Sequence, residues 1–417
     1  MLSLGDAIAP RRLGRDFRWL LASSWTSNLG DGIALSAAPL LIASMTSSPV
    51  LVASGAMMQY LPWLFFGLLS GSVADRYDRR RLVMIANGLR ALVVLGLVAF
   101  LVTGSANVWI VLATAFLYGT AEVFADSAGS TLLPMLVRPA DLGIGNARLQ
   151  AGHLVANQLA GPPLGAFLFA AGTFWPFLLE VLCVSLAVIL ISRITRSFVP
   201  ERAVEPGVKQ RPIREGLHWL RHNAPVRTLV LIILVFNITW AAPWGVLVLY
   251  ATDYLDIGAV GFGALTTASA LGGFVGIGVF GWLERHVSFS TLMKVCLILE
   301  VLMHLTFALT RSPVVAFAVM FGFGLYAFVW WTIATTVRQR LVPMHLQGRI
   351  SSVNMVGVFG GLVIGQFLGG IIAQFWGPTG PWWFAFAGSA ITLVLVWRSI
   401  SHIAAAPPVL DDESAEA

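Results

Sequence analysis

The side chains best placed to do chemistry lie inside apolar runs long enough to cross a bilayer: Asp31, Arg90, Glu122, Asp126, Glu180, Glu300 and His304. A charged side chain at the centre of a membrane helix costs roughly 2.5–3.5 kcal/mol, so each one needs a reason to be there. A carboxylate withdrawn from water can change protonation as its surroundings change, which is what a proton-coupled cycle requires. Asp31 stands mid-run in Asn28-Leu-Gly-Asp31-Gly, while Glu122 and Asp126 share one helical face at i,i+4. Glu300 and His304 repeat that spacing. Arg90 is the strongly basic group within the apolar runs of the first half, and it is placed to neutralise one of these acids. Asp31 and Glu122 lead the proton-coupling candidates, with Arg90 and Glu300 beside them. Structural pairing with Arg90 is the plain alternative for either acid. Glu180 falls near an outer span end and reads equally well as interfacial. A lone membrane histidine such as His304 more often bonds a neighbouring helix than relays protons.

The elements that must position these groups follow from composition. The chain has 417 residues, of which 57% are hydrophobic and 11% charged, whereas a soluble domain carries about 25% charged residues. Repeated apolar runs then mean a polytopic membrane protein. Twelve spans are expected, near 17–45, 50–74, 82–103, 108–133, 147–171, 175–195, 226–251, 259–283, 290–310, 314–338, 350–375 and 381–398. With the N-terminus inside, every Lys and Arg except Arg90 and Arg311 falls on the cytoplasmic side, which sets the topology with both ends inside. The net charge of +6 is therefore a topology signal, and no nucleic-acid partner is expected. Cys183 and Cys296 lie in apolar runs without metal-like spacing and read as small core residues. The first apolar run is a full span rather than a cleavable leader.

Between the second and third spans, Gly71-Ser-Val-Ala-Asp75-Arg76-Tyr-Asp78-Arg79-Arg80-Arg81 is too polar to lie in hydrocarbon. Arginines alone would anchor a cytoplasmic loop, so Gly71 and Asp75 at fixed spacing before them need another reason. The pattern G-x-x-x-D-R-x-x-R-R resembles the loop between helices two and three of the major facilitator superfamily. Asp78 stands where glycine is more usual, as in the drug:proton antiporter branch that includes macrolide, siderophore and multidrug exporters. The resemblance implies a conformational latch made by Gly71, Asp75, Arg76, Arg79, Arg80 and Asp126. In it, Asp75 would face the start of span eleven near Ser351 and Ser352, and Arg79 or Arg80 would pair with Asp126. Span five reads Gln158-Leu-Ala-Gly161-Pro162-Pro163-Leu-Gly165-Ala166, similar to the G-P-x-x-G-G signature of the superfamily's exporters. Gly161, Pro162 and Gly165 match it; Ala166 replaces the last glycine, and Asn157 stands where an earlier one is usual. A Gly-Pro pair in mid-helix removes a backbone bond and predicts a kink.

The resemblance covers residues from about 15 to 400 and implies the fold: an all-α membrane protein with twelve transmembrane helices in two six-helix halves. The division expected is 1–195, a cytoplasmic central loop 196–225, 226–400, and a disordered acidic tail 401–417. Within the loop, 212–221 has the spacing of an amphipathic helix lying on the inner leaflet. Gly161-x-x-x-Gly165 recurs as Gly365-x-x-x-Gly369, and Leu133-Pro134 as Val342-Pro343, which supports duplication. Trp19, Trp109, Trp175, Trp376, Trp382 and Trp383 fall near span ends, where interfacial belts explain them. Trp63, Trp240, Trp244 and Trp330 lie deeper, as does Trp331, and the first four are the candidates for a substrate pocket. Gly276-Ile-Gly278-Val-Phe-Gly281 spells G-x-G-x-x-G but sits inside span eight with no preceding strand, so it is not a dinucleotide site.

The function expected is secondary active transport, with proton-coupled efflux of a lipophilic or amphipathic small molecule by alternating access. No catalytic residue, metal or cofactor is expected, only a proton gradient. The partners are the small-molecule substrate, protons and the lipid bilayer, and the chain is expected to act as a monomer in a prokaryotic inner membrane. Uptake or facilitated diffusion of a small polar nutrient is the alternative, predicting a pocket rich in Asn, Gln and Arg. A membrane-embedded lipid-modifying enzyme is the alternative from another class. It would need its acids gathered at one membrane face, and here they are scattered in depth.

Overall fold

A computed structural model describes residues 11–195, 218, 220–342 and 347–405. Among these residues, twelve helices are long and apolar enough to cross a membrane. The first six are α1 (Gly14–Met45), α2 (Pro49–Ala74), α3 (Arg79–Val102), α4 (Val108–Gly129), α5 (Pro139–Ala171) and α6 (Trp175–Ser192). The second six are α7 (Ala224–Trp244), α8 (Gly258–His286), α9 (Phe289–Leu309), α10 (Pro313–Leu341), α11 (Gln347–Trp376) and α12 (Gly380–Ala405). Large apolar side chains such as Phe65, Leu92, Val102, Val394 and Leu395 are exposed. Such outward faces suit hydrocarbon rather than water.

Helix starts are set by local chemistry. The Asn107 side chain accepts from the backbone N–H groups of Trp109 and Ile110, and Ser288 accepts from Thr291. Proline opens α2 and α10, where a missing N–H costs nothing. Asp78 is the N-cap of α3, with its Oδ1 accepting from Arg81 N at 3.0 Å. The departure from glycine in the opening loop is thus a capping substitution.

The chain forms two compact units, Met1–Val204 with Ala251–Thr267, and Glu205–Tyr250 with Ala268–Ala417. In the first, α1 packs along α5 and α6, α2 along α4, and α3 along α4 and α6. In the second, α7 packs along α11 and α12, and α9 along α10 and α12. Gly272 and Gly324 bring α8 against α10. Each pairing in one unit has its counterpart six helices later in the other, the arrangement of a duplicated fold. The start of α8 belongs to the first unit, where Gly263 lies against Ala166 and the Pro162 carbonyl of α5. Most of the central segment 196–225, including most of the amphipathic helix expected over 212–221, and the tail beyond 405 lie outside the described residues. Helix α12 runs through Ala405, into the stretch expected as tail.

The span-five motif takes a definite form. Within α5, a π-helical segment His153–Ala160 precedes an α-helical one, Gly161–Ala171. Widening the helix just before Pro162 accommodates a ring with no N–H to give. A Cβ on Gly161 would strike Gly32 of α1, and one on Gly165 would strike Ile33 and Ser36. Ser36 donates to the Pro162 carbonyl at 2.8 Å. Gly32 itself lies directly on the backbone of Asn157. The glycine expected at position 157 is therefore supplied from the opposite helix. Gly365 and Gly369 repeat the device on α7, against the carbonyls of Ile238 and Ala242. Gly276 of the G-x-G-x-x-G run packs on the backbone of Leu325, so it is a helix-packing glycine.

Candidate functional site

Each unit holds its own cluster of intramembrane polar groups. In the first unit, α1, α3 and α4 converge on Arg90, which is 1% exposed. Its guanidinium donates to Asp31 and to the Tyr118 hydroxyl, and also to Asn87 Oδ1 at 2.8 Å and Ser27 Oγ at 3.2 Å. Tyr118 in turn donates to Asp31 Oδ1 at 2.6 Å, and its ring lies under the guanidinium, 4.5 Å from the centroid. The expected acid–Arg90 pair is thus present, and Asp31 is the acid in it. Tyr118 is the member that sequence reasoning missed. Its one signal was its place one turn before Glu122 on the same face of α4.

Along that face, burial decreases from Tyr118 through half-buried Glu122 to exposed Asp126. Glu180 of α6, for which the sequence also allows an interfacial place, is only 2% exposed and stands beside Tyr118. Beyond Asp31 on α1, Asn28 Oδ1 lies 2.9 Å from His153 Nδ1, and His153 Nε2 lies 3.4 Å from Gln158 Nε2. Polar contacts therefore run from the ion pair's helix into the π segment of α5.

The arginines of the opening loop take partners other than the expected Asp126. Arg79 pairs with Asp75 at 3.3 Å and donates to the Ala74 carbonyl and Met135 Sδ. Arg80 donates to the carbonyls of Ser192, at 2.6 Å, and Ile191, capping the end of α6. Neither arginine pairs with Asp126, and no ion pair reaches Asp126 among the described residues. The open carbonyls of α6 and the carboxylate of Asp75 lie within reach of these arginines and take up their donors. A side chain at Gly71 would meet open space, so packing in this conformation does not demand glycine there.

In the second unit, Glu300 and His304 of α9 are completely buried. Tyr326 of α10 donates to Glu300 Oε2 at 2.6 Å. His304 Nε2 lies 3.4 Å from Glu300 Oε1, and its Nδ1 lies 3.3 Å from Ser389 Oγ of α12. This echoes the first unit's tyrosine–carboxylate contact without its arginine. Trp382, expected in an interfacial belt, is fully buried and stacks on Phe307 at 4.4 Å, with Tyr250, Trp244 and His304 around it.

A cavity of about 190 Å³ opens in the same unit between α7, α10 and α11. Ile233, Phe236, Asn237 and Trp240 line it from α7 at successive helical turns. Phe323, Trp330, Trp331 and Arg338 contribute from α10, and Asn354 from α11. Phe236 stacks on Trp330 at 5.7 Å, and Trp240 lies between Trp244, at 4.8 Å, and Phe323, at 6.2 Å. Of the tryptophans predicted for a pocket, Trp240 and Trp330 line the cavity, and Trp244 backs it through Trp240. Trp63 belongs to α2 of the other unit and is half-buried there.

Matching six-helix packing, a buried ion pair and an aromatic cavity are the features of a polytopic membrane protein of duplicated fold. The family described as transmembrane secretion effector (MFS_3) matches residues 6–416, and the chain belongs to that family, a branch of the major facilitator superfamily. The chain is similar to the multidrug efflux pump Tap of Mycolicibacterium fortuitum, 26% identical over 85% of this chain and 88% of that protein. It is 25% identical to the putative bacilysin exporter BacE of Bacillus subtilis (strain 168), over 82% of this chain and 85% of the relative. Macrolide efflux protein A of Streptococcus pyogenes is 22% identical, over 84% and 87% respectively. Among solved structures, a bacterial homologue of the iron transporter ferroportin in an inward-facing state superposes with a TM-score of 0.77 at 18% identity, covering 93% of this chain and 99% of that one. A mutant of the nucleoside transporter NupG gives 0.76 at 12% identity, covering 93% and 100%. These likenesses establish the fold.

Proposed function

We propose that the chain exports aromatic or amphipathic small molecules across a prokaryotic cytoplasmic membrane in exchange for protons, by alternating access, with both termini inside. The relatives' roles as a multidrug efflux pump, a putative bacilysin exporter and a macrolide efflux protein support the direction and the cargo class. The transporter needs no cofactor besides the proton gradient and acts as a monomer.

The observation that carries the coupling is the Asp31–Arg90–Tyr118 cluster. Protonating Asp31 removes the charge that holds Arg90, and Tyr118 has one proton and two lone pairs with which to re-pair. Glu122 and Asp126, one and two turns further along α4, form the ladder by which a proton reaches the cluster or leaves it. Asp31 directly precedes Gly32, which lies on the backbone of Asn157. A shift of α1 at the ion pair is therefore passed to the π segment of α5, where an irregular helix is most readily rearranged. Buried clusters with two hydrogen-bond arrangements are the bistable elements such a cycle uses. The opening loop serves as the latch. Asp75, whose side chain is 64% exposed, is free to exchange its Arg79 partner as the state changes.

Reconstituted protein tests the reading. Vesicles with an imposed pH gradient are given a panel of labelled aromatic compounds that are anionic, neutral or cationic. Gradient-driven accumulation of at least one, abolished when a protonophore collapses the gradient, is expected. Movement that ignores the gradient contradicts proton coupling.

A further inference from the structure

The cavity between α7, α10 and α11 has a polar pattern that narrows the cargo. At about 190 Å³ it is smaller than the ~300–1,000 Å³ of drug-sized sites, so it suits a one- or two-ring compound or one end of a larger one. Its walls are aromatic, but its charge is of one sign. Among the described residues, Arg338 is the one charged residue lining it, and no carboxylate does. Among the described residues, Arg338 makes no hydrogen bond or ion pair. Two further groups are left wanting. Trp240 Nε1 and Asn354 Oδ1 are buried with no hydrogen-bond partner, and Asn354 is only 8% exposed. An orphaned polar atom in such a place is a cost that a bound molecule can remove. The other amide of the wall, Asn237, is already turned back to the Ile233 carbonyl at 2.7 Å.

We infer that this cavity takes an aromatic compound bearing an anionic group, a carboxylate or its equivalent. The anion meets Arg338, and the rings lie among Phe236, Trp240, Phe323 and Trp330. The guanidinium offers a planar fork of N–H donors that matches a carboxylate, and the Trp240 indole N–H adds a further donor to the same ligand. Asn354 Oδ1 accepts a hydroxyl or N–H from it. Aromatic walls alone would also attract a cation through their ring faces. Arg338 opposes that preference, because a like charge lining the same cavity repels a cation. In the topology proposed above, Arg338 lies toward the cytoplasmic end of α10 and Phe323 deeper. The ligand's acidic end then faces the cytoplasm while its rings point toward the midplane. The inference deepens the export reading and rests on it for its physiological meaning.

Three matched probes test it: 1-naphthylacetate, neutral 1-naphthylacetamide and 1-naphthylmethylammonium, titrated calorimetrically into the full chain in phosphatidylcholine nanodiscs, with empty nanodiscs as the blank. The expected result is that the anion binds at least about tenfold more tightly than the cation. Arg338→Gln should weaken the anion by about 10- to 100-fold, the loss typical of one hydrogen bond to a charged group, and leave the cation no worse. Arg338→Lys should recover part of the loss, and Trp240→Phe should weaken the anion several-fold while keeping the ring. Circular dichroism and gel filtration establish that each variant is folded. Equal or tighter binding of the cation, no binding of any probe, or an unchanged anion affinity in Arg338→Gln overturns the inference. Binding needs no gradient, so the two readings fail separately. Anion-selective binding without gradient-driven movement sinks proton-coupled export and keeps the site. Gradient-driven export of the naphthylmethylammonium with the anion excluded keeps export and sinks the ligand class.

Discussion

Replacing Asp31 by asparagine preserves its size and one acceptor oxygen but removes the charge that faces Arg90. Arg90 is 1% exposed and the Asp31 side chain 17% exposed, so the pair is largely out of water. Removing one partner of a buried pair costs about 3–5 kcal/mol, because the other charge is left uncompensated. Here Tyr118, Asn87 and Ser27 still accept from the guanidinium, which places Asp31→Asn at the low end, about 3 kcal/mol. Arg90→Gln leaves a carboxylate whose remaining partner is Tyr118, and its cost should be similar, about 3–4 kcal/mol. Because both variants break one interaction, the double variant should cost about 3–5 kcal/mol rather than the sum of the two, a coupling of about 2–3 kcal/mol. Equilibrium SDS titrations in mixed micelles, followed by circular dichroism, give the four stabilities of the cycle. Additivity within about 0.5 kcal/mol would refute the pair as an energetic unit and leave it a mere neighbourhood.

Other outcomes follow from the same packing. Gly165→Leu drives a side chain into Ile33 and Ser36 and should destabilise the protein by about 3 kcal/mol, the upper end for overpacking, or prevent its membrane accumulation, whereas Gly71→Ala, which meets open space, should leave stability within about 0.5 kcal/mol. Tyr326→Phe strips the fully buried Glu300 of its hydrogen-bond donor and should cost about 1–3 kcal/mol in the SDS titration; no change would mean that Glu300 finds another partner. Trp382→Ala empties a fully buried site against Phe307 and Tyr250 and should cost about 3–5 kcal/mol, where a tryptophan in an interfacial belt would cost far less.

What could be read from the chain was whatever the bilayer itself constrains. Hydrophobic length and the scarcity of charge made all twelve spans legible. The same scarcity singled out Asp31 and Arg90, because an ion in hydrocarbon must find its opposite. The glycines of span five were legible as a motif, but their physical partner was not. The place of Gly32 against Asn157 depends on how two helices separated by long stretches of chain cross. Tyr118 was silent because a tyrosine is at home in a core, a belt or a site, and only geometry distinguishes these. Trp382 was misread for a related reason. It lies near the start of its helix, a position typical of interfacial belts, yet α7 and α9 close over it. The arginines of the opening loop announced their charge but not their partners. Backbone carbonyls at the end of α6 carry no sequence signature, and these take Arg80 in place of Asp126. In the cavity, Trp240 and Trp330 could be proposed by depth. Arg338 is one cytoplasmic-side arginine among many in the sequence, and only the fold brings it to a cavity walled by aromatic rings.

In the proposed cycle, the Asp31–Arg90–Tyr118 cluster ties substrate movement to proton movement. It is tested most directly in vesicles that contain the reconstituted protein and a trapped pH-sensitive dye, to which a transported member of the aromatic panel is added. In the wild type, substrate flux in one direction should drive a measurable proton flux in the other. In Asp31→Asn the proton flux should vanish while substrate binding persists. Proton counter-flow at the wild-type rate in Asp31→Asn would contradict coupling through this cluster and move it to other acids of the chain.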